Sequence, residues 1–371
     1  MCNYPKPSFV ISQSNFSLVW FGATNQFLVV QDALEVFFTE SLVQTYSEYQ
    51  EASEALVAIH PEILGLMEAI STDNTNTLIK DVPAADCKHL PLNDFEVSNL
   101  ALGQHIASVY YGSKTLQTVF EAPFTHLKTN SDKSSKELII TENNNKHNLY
   151  AGKKLIYTTP KDQFFLLQAQ FANQLTEFYH NINTPNWLCS FHGCAVHKNK
   201  KTFLLLGDSG AGKSTLSSLL SLSDYRFVAD DLVLMDHNFK IYDNPAAVSV
   251  KENSWPVIQN NYKDFSTLKT SEKTKGQIRM KFLPLHALQI NIPQSFVVDA
   301  LVWVNFSKDQ TNRLSTLDKK QALSRLIPDT WINSELTSAR AFSNWAIDLK
   351  TYHLDYSDFK AAKKLLDTQL Y

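Results

Sequence analysis

Apolar residues change their spacing several times along the chain, and each change predicts an element. FVISQ, FSLVWFG and QFLVVQ, near the start, alternate apolar and polar positions between polar turns, the pattern of short strands. From residue 31 to 70 the step lengthens to three and four. ALEVFFTESLVQTY and EASEALVAI each gather their apolar residues on one helical face, and HPEILGLMEAIS carries a proline where a helix begins. The polar stretch STDNTNTLIKDVPAADCKHLPLND predicts a boundary near residue 95. Beyond it, IASVYYG, LQTVFEA, ELIIT, NLYAG and KLIYTT predict strands, with polar loops at KTNSDKSSKE and ENNNKHN. FFLLQAQFANQLTEFYHNI predicts an amphipathic helix. TFLLL then predicts a buried strand, STLSSLLSL a helix and YRFVA another strand. IYDNPAAVSVK and ALVWVNF follow as strands, and KAAKKLLDTQLY closes the chain as a helix. The expected organisation is a small α+β domain over 1–95 and an α/β domain over 96–371, a mixed sheet with flanking helices.

Composition narrows the function classes. A net charge of −3 argues against a nucleic-acid binder that works through a basic surface. No apolar run has the length of a membrane span, and the opening MCNYPKPSFVISQSNF lacks the cationic and apolar segments of a secretory signal. Cys2, Cys87, Cys189 and Cys194 form no CxxC pair, so they read as free thiols in a reducing cytoplasm. A cytoplasmic protein without membrane or nucleic-acid partners is therefore expected. Glycine is scarce, 10 of 371 residues, where about 7% is usual. Yet Gly193, Gly207, Gly210 and Gly212 fall close together, which points to a local need for backbone freedom.

That need has a chemical explanation. Gly207-Asp208-Ser209-Gly210-Ala211-Gly212-Lys213-Ser214, followed by Thr215, fits the phosphate-loop pattern G-x-x-x-x-G-K-[ST] between a predicted strand and a predicted helix. Backbone N–H groups wrap phosphates only where no Cβ intrudes, and the helix N-terminus favours the anion. Lys213 would reach the β- and γ-phosphates and Ser214 would offer its hydroxyl to Mg²⁺. The chain has neither a guanine-reading NKxD nor an LSGGQ segment, which favours ATP. Asp230 and Asp231 follow Lys213 with room for only one short helix, a turn and one strand. Two adjacent carboxylates can divide the work: one holds Mg²⁺ beside Ser214, the other accepts a proton from an attacking hydroxyl. His192 precedes the loop strand by one hairpin, so its start lies toward the loop end of that strand.

Three segments, SFHGCAVHK, LLLGDSGAGKSTL and YRFVADDLVLM, resemble the catalytic domain of HPr kinase/phosphorylase. The resemblance implies a P-loop core related to that of the phosphoenolpyruvate carboxykinases. It implies Asp230 as general base toward a serine hydroxyl, Asp231 and Ser214 as Mg²⁺ ligands, and His192 beside the phosphate, tuning proton transfer. It implies Lys213 and the loop amides as the ATP site, and a homo-oligomer, since hexamers are known in that family. The chain departs from the family in lacking its Glu-Arg-Gly signature beyond Asp236. In its place stands the basic loop DFSTLKTSEKTKGQIRMKF, with Lys275 or Arg279 available to neutralise phosphate charge. The opening 70 residues resemble a PqqD-type module, which binds a leader peptide by adding a strand to its sheet edge. The expected function is an ATP- and Mg²⁺-dependent kinase whose acceptor is the serine-type hydroxyl of a peptide, protein or small molecule. The alternative is an ATP-dependent regulatory module with little phosphotransfer.

Overall fold

The structure is a computed structural model that describes residues 4–72, 92–131, 133–273, 278–285 and 294–370. It is a mixed α/β protein, and its described residues fall into two compact units. The first is drawn from Met1–Ile79, Trp187–Ser190 and Thr316–Thr351, the second from Lys80–Asn186, Phe191–Ser315 and Tyr352–Tyr371. The expected boundary near residue 95 lies beside 73–91, which is outside the described residues. The inclusion of 316–351 with the opening segment is announced by no local pattern.

In the first unit the three expected strands form an antiparallel meander, Phe9–Ser12, Ser17–Phe21 and Gln26–Val30. Three helices follow, Asp32–Ser41, Tyr46–Ile59 and Leu64–Ser71. The middle one begins with a reciprocal cap between Thr45 and Glu48, which satisfies two otherwise unpaired amides. Val19, Phe21, Phe38, Tyr49 and Met67 form the core under the sheet. Segment 316–351 adds helices Lys319–Leu326 and Leu336–Asp348, and Phe342 packs edge-on against Phe27 at 5.9 Å.

The second unit holds two six-stranded sheets. One is built from residues 96–160 and covered by helices Lys114–Glu121 and Phe164–Tyr179. The first of these helices corrects an expectation: LQTVFEA is helical, not a strand. Ser113 caps it, accepting from the Leu116 amide, and Leu116 and Phe120 share its buried face at the i, i+4 spacing. IYDNPAAVSVK is likewise two strands, Lys240–Tyr242 and Val248–Lys251. Asp243 breaks the run by turning its buried carboxylate toward Arg226 and His180, and Pro245 supplies no amide for a ladder. The basic loop is a third correction. Thr270–Lys273 and Ile278–Leu283 pair antiparallel, and the second of them pairs with Val248–Lys251. Alternating Met280 and the half-buried Phe282, with Leu283, give that segment strand character.

The other sheet positions the site. Its order begins Arg226–Asp230, Cys194–Lys198, Lys201–Leu206, Ala300–Phe306. Cys194–Lys198 and Lys201–Leu206 form a hairpin whose two turn residues, Asn199 and Lys200, have φ of 48° and 65°, the geometry of a two-residue turn that matches strand twist. Phe203, Leu205, Val302, Val304 and Leu216 fill the core beneath it.

Candidate active site

The chain leaves the central strand at Gly207 and re-enters regular structure at Lys213, where the helix Lys213–Ser221 begins. Gly207, Gly210 and Gly212 all have positive φ, of 149°, 88° and 88°. At Gly207 a Cβ would stand 2.4 Å from the Val304 carbonyl oxygen; at Gly212 it would stand 2.5 Å from the Tyr356 hydroxyl. Only glycine closes this loop so tightly. The loop is held from outside as well: the Phe306 amide donates to the Ala211 carbonyl at 3.1 Å, and the Tyr356 hydroxyl donates to the Gly212 carbonyl at 3.2 Å. Asp208, Ser209 and Gly210 form the exposed lip. Lys213 is buried, its ammonium donating to the carbonyls of Gly207 at 2.5 Å and Asp208 at 3.3 Å. Thr215 turns its hydroxyl to Ser254, 2.6 Å away.

Strand pairing brings the acidic pair to the same end. Cys194 lies opposite Leu205 on one side and Asp230 on the other, so the end of the acidic strand is level with the end of the loop strand. The Ser214 hydroxyl donates to Asp230 Oδ1 at 2.9 Å, and the Cys194 thiol donates to the same oxygen at 2.6 Å. Burial pushes the Cys194 thiol far above its ordinary range, so it stays protonated and can donate. Asp230 Oδ2 is buried with no hydrogen-bond partner. Burial first, and then the neighbouring Asp231 charge, push the Asp230 carboxyl up to about 6, against the opposing help of Cys194, Ser214 and His192. The next residue, Asp231, has φ of 68° and is mainly exposed; its Oδ1 lies 3.5 Å from His192 Nδ1. Gly193 lets this strand start run close to its neighbour, since a Cβ there would meet Leu206 Cδ2 at 2.5 Å.

Sequence-expected His192, Lys213, Ser214, Asp230 and Asp231 thus gather at one end of one sheet. Two described residues of the basic segment are engaged elsewhere. Arg279 is paired with Glu252 and lies over the Trp255 ring at 5.2 Å, and Lys281 is buried against the Phe265 and Ser266 carbonyls. Lys275 lies outside the described residues, as do Cys2 and Cys87. Three contributors are not flagged by the motifs. Cys194 is legible in principle, from its hairpin register one step after Gly193; Phe306 and Tyr356 carry no local signal.

Among the described residues no cluster of three or more histidine, cysteine, aspartate or glutamate side chains gathers to hold a metal. Mg²⁺ does not demand one, because it keeps several waters and takes one or two carboxylates together with phosphate oxygens. The Ser214 hydroxyl and the neighbouring carboxyl groups of Asp230 and Asp231 fit such an ion, and a loop with glycine at 207, 210 and 212 fits a polyphosphate. No helix among the described residues is long and apolar enough to cross a membrane.

No family model matches the chain, and no curated protein matches it. Among solved structures it is similar to the HPr(Ser) kinase/phosphatase from Coxiella burnetii, at 11% identity, over 47% of this chain and 90% of that one, with a TM-score of 0.23. Overlap at that level decides neither fold nor activity.

Proposed function

We propose that the protein is an ATP- and Mg²⁺-dependent phosphotransferase acting on a serine-type hydroxyl. The observation that carries this reading is the Ser214–Asp230 contact. It joins the first turn of the glycine-loop helix to a buried carboxylate that keeps one oxygen bare. Most buried polar groups find a hydrogen-bond partner, and this oxygen lies level with the end of the loop strand.

The loop amides and Lys213 would hold the triphosphate, with Lys213 exchanging its present carbonyl partners for phosphate oxygens. Ser214 and Asp231 would hold Mg²⁺, which supplies charge neutralisation on the transferring phosphate when bound. Asp230 would take the proton from the acceptor hydroxyl. A carboxyl raised to about 6 is suited to that task, because it is ionised at neutral pH yet more basic than an ordinary aspartate. His192, within 3.5 Å of Asp231, would orient that carboxylate and stabilise its charge. The peptide-binding role suggested for the opening 70 residues belongs to the same proposal: their strand meander would bind a leader peptide by adding a strand to its edge.

A second division of labour has one observation in its favour. Because Ser214 touches Asp230 rather than Asp231, Asp230 could serve the metal and the exposed Asp231, beside His192, the proton. Asn substitutions separate the two. With Asp230 as base, Asp230→Asn lowers transfer of label from ATP to a hydroxyl acceptor by about 10²–10⁴-fold and leaves the Mg²⁺ dependence of ATP binding unchanged, while Asp231→Asn raises the Mg²⁺ that ATP binding requires. The opposite pattern exchanges the roles. Release of free phosphate alone from labelled ATP, with every peptide and small hydroxylated acceptor tried, would favour a regulatory module instead.

A further inference from the structure

We propose that Phe306 is the platform on which the nucleotide's base stacks. The inference rests on the phosphate-loop reading and adds to it a subsite for the aromatic end of the ligand. Phe306 ends the strand Ala300–Phe306, which runs parallel to the loop strand with Val302 opposite Leu205 and Trp303 opposite Leu206. The parallel register delivers it to the loop end of the sheet. There its amide is bonded to the Ala211 carbonyl, and its Cβ stands 3.0 Å from where a Cβ on Gly212 would be.

A single exposed phenylalanine is ordinary on a protein surface. This one differs in being fixed. The residues before it in the strand, from Ala300 to Val304, are buried, whereas Phe306 is 39% exposed. One side of its ring leans on Tyr356, with ring centroids 5.1 Å apart and planes at 57°. Tyr356 is buried and holds the loop through its hydroxyl. The result is a rigid, partly open aromatic surface at the rim of the cradle.

Strand order supplies the direction. The carboxylates lie on one side of the loop strand, across Cys194–Lys198, and Phe306 lies on the other. A triphosphate whose last phosphate faces Asp230 and Asp231 leads its nucleoside away from them, toward Phe306. Stacking requires no hydrogen-bond code, so the platform accepts the π-face of a base while the phosphates supply the anchoring charge.

The test compares two probes by calorimetry, ATP and inorganic tripolyphosphate, each with Mg²⁺. Wild type is expected to bind both, ATP more tightly. Phe306→Leu, which keeps apolar packing on Tyr356 but removes the aromatic face, should weaken ATP about tenfold or more and leave tripolyphosphate unchanged. Phe306→Trp should restore ATP affinity. Equal weakening of both probes would mean that the ring only supports the loop, and no change in either would mean that the base lies elsewhere; each overturns the platform while the loop reading stands. Failure of wild type to bind tripolyphosphate would defeat the loop reading itself, and the platform with it.

Discussion

Two of the places where this molecule holds residues in left-handed backbone treat them in opposite ways. In the first unit, Asn25 has φ of 51° between two strands of the meander. Its amide is bonded at both ends within the unit: the Trp20 indole donates to it at 2.9 Å, and it donates to the Ile332 carbonyl at 3.1 Å. In the second unit, Gly207, Gly210, Gly212 and Asp231 all have positive φ at one sheet end, and the nearby Asp230 Oδ2 is left bare. Strain answered by internal bonds pins a fold. Strain beside an unsatisfied polar atom is the setting from which a functional site is proposed. The charge pattern differs too. From residue 7 to 72 the chain has no lysine or arginine, so the cationic groups suited to phosphate do not come from that segment.

The comparison is best broken at Asp230. Asp230→Asn should reduce phosphate transfer by about 10²–10⁴-fold, the usual range for losing a general base, while the nucleotide-free protein becomes relatively more stable at neutral pH. The sign follows from the raised carboxyl. Protonation favours the native state, so this contribution is full below an ordinary aspartate's 3.8 and is lost as pH rises through about 6. Denaturant titrations in the absence of Mg²⁺ should show the variant gaining on wild type from pH 4 to pH 7 by at most about 3 kcal/mol. A constant difference across that range would mean that Asp230 is not held at a raised pKa.

Gly212→Ala should come next. Left-handed backbone costs about 1–2 kcal/mol for a non-glycine residue, and the clash with Tyr356 adds about 1–3 kcal/mol. Thermal unfolding and ATP binding should both suffer. Asn25→Ala should lower stability by about 2–4 kcal/mol, through backbone strain and an unpaired buried Trp20 indole, and leave ATP affinity unchanged. A loss of ATP affinity there would erase the distinction between the two turns. Gly210→Ala should be the mildest for the fold. Nothing lies within 4 Å of its added Cβ, so only the strain of about 1–2 kcal/mol remains; ATP binding should fall by more than the unfolding data predict, because the methyl group enters the cradle.

Much of the site is legible in the amino-acid sequence. The glycine loop, its lysine and the compact spacing to Asp230 are local features, and the hairpin from His192 follows from two adjacent strands. The misread segments show why other features are not. LQTVFEA has β-branched residues that suit a strand, but Ser113 supplies a helix cap and the sheet buries the Leu116–Phe120 face. In the basic segment, a count of lysines suggests a phosphate clamp, whereas packing commits Arg279 to Glu252 and Trp255 and buries Lys281.

What the sequence determined alone is the cradle: a strand, a turn that only glycine can make, and a helix whose first residues are lysine and serine, because backbone sterics and helix termini act over a few residues. Tertiary structure decided the rest. It set Cys194 and Ser214 on the same oxygen of Asp230, left the other oxygen bare, and brought Phe306 and Tyr356 to the loop from strands far along the chain. Those contacts depend on strand order and parallel register, and these come from burying whole faces of the sheet at once, which no short stretch of sequence specifies.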